Sequence, residues 1–130
     1  MEFYDYFKSI IDTDIAHIVI CDLSHKIIYM NPAAAKRYEK RGGYALVGTS
    51  LLNCHNSESC EKINRVIEWF GKSTDNNRMY TYRNDKENKD VYMIALRDGS
   101  GKLIGYYEKH EYRNCETAPA YNSVQLTVNS

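Results

Sequence analysis

The sequence has no excess of charge of either sign: 17 Lys and Arg stand against 17 Asp and Glu. A neutral chain offers no basic footprint with which to displace counterions from nucleic acid. It gives no general attraction to anionic membranes either. No apolar run approaches the roughly 20 residues needed to cross a bilayer. The opening Met1-Glu2-Phe3-Tyr4-Asp5 is acidic and aromatic, where a secretory signal is basic and then apolar. The expectation is a cytoplasmic protein with neither membrane nor nucleic acid as partner. Cysteine is sparse, at positions 21, 54, 60 and 115, and without a secretory context free thiols are expected. Phosphate-binding glycine loops, a nucleophile elbow and repeated carboxylate pairs are all missing, which argues against an enzyme. There is no internal repeat or low-complexity segment, and 130 residues make one domain.

Tyrosine is plentiful, with twelve against three Phe and one Trp. Tyr suits half-buried strands, where the ring packs and the hydroxyl reaches water or a partner. Residues 3–11 place Phe3, Tyr6, Phe7, Ile10 and Ile11 at helical spacing. This short amphipathic helix either packs on its own domain or meets a second copy. β-branched residues over 15–22 predict a buried strand, and 26–31 predict a second, joined through Leu23-Ser24-His25 as a hairpin. Asn31 is a good cap and Pro32 a good first residue for the helix that follows, which Gly42-Gly43 ends. A longer helix is predicted over 58–70, with Ile63, Val66, Ile67 and Phe70 on one face. Glu68 and Lys72 are spaced to pair, and Gly71 is placed to stop it. Residues 79–83, 91–97 and 102–112 read as a three-stranded meander. Val124, Leu126 and Val128 alternate, which suggests an added edge strand in the tail. The whole is an α+β domain with two antiparallel groups of strands. Residues 1–12 form the leading helix, 13–113 the domain and 114–130 the tail.

Cys21-Asp22-Leu23-Ser24-His25-Lys26-Ile27-Ile28-Tyr29-Met30-Asn31-Pro32-Ala33-Ala34 resembles the opening of a PAS domain. Gly43-Tyr44-Ala45-Leu46-Val47-Gly48 is similar to the family's segment before its long helix. Asp98-Gly99-Ser100-Gly101-Lys102-Leu103-Ile104-Gly105 is similar to its last hairpin. Leu51-Leu52-Asn53-Cys54-His55-Asn56 looks like a subgroup of bacterial PAS domains with a Cys-His pair at this point. The resemblance spans roughly residues 12–113. It implies a five-stranded antiparallel sheet with flanking helices and a cavity between sheet and long helix. It further implies a sensory or interaction role without catalysis, signalling through dimer contacts. Family members bind haem, flavin, small metabolites or nothing. The resemblance leaves open a stand-alone module or part of a longer chain.

Cys54, His55 and Cys60 are the densest group of soft ligands, yet their spacing is no recognised zinc pattern. No metal is expected. Asn53-Cys54-His55 is superficially similar to the flavin-attacking motif of photosensory relatives, but the Arg that should follow is absent, which speaks against flavin. Haem takes an axial His. Residues 58–70 contain none, so His55 is the candidate ligand, and His17 reads as a core or edge histidine. If a small ligand binds, Ile63 and Ile67 are expected on the helix side and Tyr82, Met93 and Tyr106 on the sheet side. Cys54 and His55 are expected at the mouth. Of Tyr80, Tyr82, Tyr92, Tyr106 and Tyr107, about half are expected to pair across strands at the surface. The alternatives are a haem-based sensor using His55, a homodimerisation module with a filled core and, least favoured, an enzyme with a Cys54–His55 site.

Overall fold

The computed structural model describes residues 2–124 and 126. Helix α1 (Phe3–Asp12) leads to strands β1 (Val19–Asp22) and β2 (Ile27–Met30), then to α2 (Pro32–Arg37). Three single 3-10 turns follow at Glu39–Arg41, Gly43–Leu46 and Leu51–Cys54. The long helix α3 (Ser57–Lys72) precedes a meander of β3 (Arg78–Asn84), β4 (Lys89–Arg97) and β5 (Leu103–Tyr112). All five strands form one antiparallel sheet in the order β2-β1-β5-β4-β3. The hairpin and the meander therefore join where β1 lies beside β5. The core forms where Ala34 of α2 and Val66 and Phe70 of α3 meet Cys21, Ile27, Met30, Met93 and Tyr106 of the sheet. This is the α+β architecture read from the sequence.

The two hairpin turns use one device. Asp22 Oδ1 accepts hydrogen bonds from Ser24 N, Ser24 Oγ and Lys26 N, and Asp98 Oδ1 accepts from Ser100 N, Ser100 Oγ and Lys102 N. Each Asp-x-Ser-x-Lys turn then needs a left-handed residue at its fourth position. In the second turn that is Gly101, at φ 88°. In the first it is His25, at φ 67°, which costs on the order of 1 kcal/mol. The His25 ring gains a partner there, with Nδ1 2.9 Å from the Tyr106 hydroxyl.

Asn31 ties the N-terminal segment to the domain. It is fully buried. Its Oδ1 accepts from Ile18 N and Ala34 N, capping α2. Its Nδ2 donates to the carbonyls of Ile11 and Ala16. These bonds explain why the first strand is shorter than expected. Residues 15–18 are not strand, because their backbone is taken by Asn31 and by Asp14, whose Oδ1 accepts from Ala16 N. Ile15 is left 93% exposed.

Helix α3 also departs from expectation. Gly71 does not stop it; it runs to Lys72 and ends at Ser73. Arg97 Nη2 donates to the carbonyls of Phe70, Ser73 and Asn76, and a cation on these last carbonyls is favourable. The Glu68–Lys72 pair is replaced by Glu61–Arg65, at 3.6 Å. The stripe of α1 does not pack on the sheet: Phe3, Phe7 and Ile10 are all exposed. In the tail, Val124 and Leu126 are helical rather than an edge strand, and Val128 lies outside the described residues. The four cysteines are free, with Cys21 buried as expected.

Candidate functional site

Between α3 and the sheet lies a cavity of about 360 Å³, within the usual range for small-molecule sites. Six of the seven expected ligand contacts line it: Cys54, His55, Ile63, Tyr82, Met93 and Tyr106. Ile67 does not. One turn beyond Ile63, it packs against the core instead. Cys54 is exposed on the 3-10 turn ahead of α3. Asn56 caps the helix through Ser59 N, at 2.8 Å, and so fixes the approach of this corner.

The tyrosines divide by face. Tyr80 and Tyr92 are paired across β3 and β4, with ring centroids 5.3 Å apart, and Tyr92 points opposite to its neighbour Met93. Strict alternation would put Tyr82 with Tyr80. A register shift in β3 between Tyr80 and Tyr82 re-aims Tyr82 into the cavity instead, as bulges do.

The apolar part of the cavity wall comes from Val19, Ile27, Met30, Leu51 and Met93. Polar groups stand among these residues, with Glu108 directly opposite Met93 in register, and were not read from the sequence. Tyr106, Glu108 and His110 follow one another along β5 on the cavity face, and Lys89 joins them from β4. His17 and His110 stack there, and the Tyr38 ring meets His17 edge-on at 5.8 Å. Arg37 forms a two-pronged ion pair with Glu87, at 3.0 and 3.1 Å. Lys89, only 1% exposed, lies 3.3 Å from the same carboxylate. The Nδ1 of His110 is buried without a hydrogen-bond partner.

This setting shifts the titrating groups. Burial, then the neighbouring His110, Arg37 and Lys89, pushes His17 down to about 3. Burial, then Lys89 and Arg37, pushes His110 down to about 4. Both imidazoles are neutral near pH 7. Burial raises Glu108 above the ordinary carboxyl range. His55 is lowered, by burial and then by Arg41. Burial pushes the Cys21 thiol up to about 12, so it is not a nucleophile.

Among the described residues no group of His, Cys, Asp and Glu is arranged to hold a metal ion. A haem on His55 would need an apolar slot for both ring faces. The walls here carry Lys62, Lys89, Glu108, His17 and His110, so these residues do not fit that group. The histidines, Lys89 and Glu108 were missed because their shared placement depends on strand register. The alternation Tyr106, Glu108, His110 was the available signal.

No protein-family model matches the chain, and no curated protein matches it in sequence. Solved structures do match it. The C-terminal domain of a Streptococcus mutans protein superposes with a TM-score of 0.62 at 19% identity, covering 84% of each chain. A PAS domain from Colwellia psychrerythraea gives a TM-score of 0.62 at 12% identity, covering 86% of this chain and 98% of the other. A sensory box sensor histidine kinase from Vibrio cholerae gives 0.57 at 13% identity, covering 85% and 90%. No described helix is long and apolar enough to cross a membrane. The antiparallel order β2-β1-β5-β4-β3, the long helix over the sheet and these superpositions together establish that the chain has the fold of a PAS domain.

Proposed function

We propose that the protein is a non-catalytic sensory module that takes a small molecule into the cavity between α3 and the sheet and passes the signal to a partner through dimer contacts. The observation that carries this reading is the cavity itself: about 360 Å³, walled by aliphatic side chains such as Ile27, Leu51, Ile63 and Met93 with polar groups set among them. That is the usual make-up of a small-molecule site. The solved structures of like fold include a PAS domain and a sensory box kinase, which supports the sensory role. Cys54 and His55 are adjacent in sequence with no base–nucleophile contact between them, which supports binding over turnover.

The second half of the reading rests on α1. Phe3, Tyr4, Tyr6, Phe7 and Ile10 are exposed on this one helix, and an apolar face of this kind suits a two-fold contact with a second copy.

The test is a thermal-shift screen against small metabolites, repeated on Ile63→Trp, which fills the cavity from the helix side. A ligand that raises the melting temperature of the wild type and not of the folded variant is the expected result. A ligand that stabilises both equally would place binding elsewhere.

A further inference from the structure

Glu108 stands in the sheet floor of the cavity without a bond. No described residue gives its carboxyl a hydrogen bond or an ion pair. It lies opposite Met93 in the sheet register, between Tyr106 and His110 on the cavity face of β5. Val19 of the adjoining β1 and Ile63 of α3 line the same space. The side chain is half-buried, and burial is the largest influence on it. A carboxyl so placed costs free energy until a donor meets it. The cations nearby are engaged elsewhere. Lys62 Nζ donates to the Thr81 carbonyl at 2.6 Å. Lys89 Nζ lies 3.3 Å from Glu87, whose two oxygens accept from Arg37. Lys62 and Lys89 therefore act on Glu108 only through space.

Resting on the small-molecule reading above, we propose that Glu108 is the anchoring acceptor for an uncharged, compact, apolar ligand that carries an O–H or N–H donor. The donor ends on a carboxyl oxygen of Glu108, which accepts whether or not the group is protonated. Because Met93 lies directly opposite, a molecule bonded to that oxygen also packs on the Met93 side chain. The rings of Tyr38, Tyr82 and Tyr106 add flat wall to the same cavity, which suits a ring-shaped body. The charges of the wall select for neutrality. An anion meets the Glu108 carboxyl, and the donors of Arg37, Lys62 and Lys89 that could offset it are taken. An ammonium finds Glu108 but enters a wall that carries Arg37, Arg41, Lys62 and Lys89. Only Glu108 and the neighbouring Glu87 oppose these four, so the field on a cation is repulsive. A neutral donor meets neither cost, and a hydrogen bond to a carboxylate is of the stronger kind.

The test is isothermal titration with probes that share one apolar body: p-cresol, its methyl ether 4-methylanisole, 4-methylbenzylamine and p-toluate. At about pH 7.5 the phenol is neutral, the amine cationic and the acid anionic. We expect p-cresol to bind at least about tenfold more tightly than its ether, and more tightly than either charged probe. In a folded Glu108→Met variant, p-cresol and the ether are expected to bind alike. That variant, free of ligand, is expected to melt at a higher temperature than the wild type, since it removes an unbonded carboxyl from among apolar groups. The wild-type comparison stands even if the variant fails to fold. Ether binding as tightly as p-cresol, with both blocked by Ile63→Trp, would overturn the acceptor role and leave the cavity as a ligand site. Tightest binding by the amine or by p-toluate would overturn the selection for a neutral ligand. A p-cresol advantage that survives Glu108→Met would place the acceptor elsewhere, and a lower melting temperature of that variant would show the carboxyl to be held by the protein itself. Binding of none of the probes would overturn the subsite, while a different ligand found in the metabolite screen would still uphold the cavity.

Discussion

The rings of His17 and His110 overlap in the cavity wall, their centroids 3.9 Å apart and their planes tilted by 32°. Neither lies near the other in sequence. They meet because β1 pairs with β5, which carries the segment before β1 across to the far half of β5. Two imidazoles in this contact cannot both be charged without strong repulsion, and Arg37 and Lys89 add to that cost.

The pair makes stability pH-dependent. In the unfolded chain the two imidazoles titrate near 6.5, and in the folded protein only near 3 and 4. Between these values the unfolded state holds more protons, so stability falls as pH drops below 6.5. Glu87 and Glu111, held near 2 by their cations, add loss only below about pH 4.5. Glu108, raised by burial, acts in the opposite sense. Urea melts at about pH 7.5 and pH 5.5 should show a loss on the order of 2 kcal/mol, discounted for partial exposure. The loss should be smaller in His110→Gln. Equal midpoints at both pH values would contradict the stacked neutral pair.

Replacing Asn31 by Ala should cost about 3 kcal/mol or more. It removes an N-cap and leaves buried backbone groups of Ile18 and Ala16 without partners. Denaturant unfolding measures this, and a change below about 1 kcal/mol would show that Asn31 is not the hub it is described as.

Gly105 lies where β5 meets β1, and a Cβ there would fall 2.2 Å from the Cys21 carbonyl oxygen. Backbone cannot give way as a side chain can. Gly105→Ala should lower stability by about 2–4 kcal/mol or prevent folding. An unchanged melting temperature would mean that the two strands are farther apart.

Sedimentation should find a dimer in the wild type and a monomer of unchanged circular dichroism in the double variant Phe3→Ser, Phe7→Ser. The exposure of Phe3, Tyr6, Phe7 and Ile10 motivates this. A wild-type monomer, or a dimer that survives both changes, would remove α1 from the interface.

Thiol reagent applied to the native protein should modify the exposed Cys54 and Cys115 quickly and the half-buried Cys60 more slowly. Cys21 should react only after unfolding, since burial both hides it and raises its pKa. Fast reaction at Cys21 would show that β1 opens readily.

The features legible in the sequence are those that neighbours within a few residues decide. Asn31 before Pro32, the Leu23-Ser24-His25 turn and the Ile63–Phe70 stripe all act over a turn or two of chain. The short apolar runs of the meander showed strands, and so the α+β architecture, while the cavity was implied by the resemblance to PAS domains. The end of the first strand was misjudged because Asn31 claims the backbone of Ala16 and Ile18 from outside that segment. The aim of Tyr82 depends on a bulge in β3, and a one-residue slip exchanges the two faces of a strand. The polar groups of the cavity needed still more. His17, Arg37, Lys89 and His110 come together only once β1 is seated on β5 and α2 lies beside the β3–β4 turn. Local sequence decides which segments are strand and helix, whereas the charge and hydrogen-bonding of a cavity belong to register and packing, which only the assembled sheet determines.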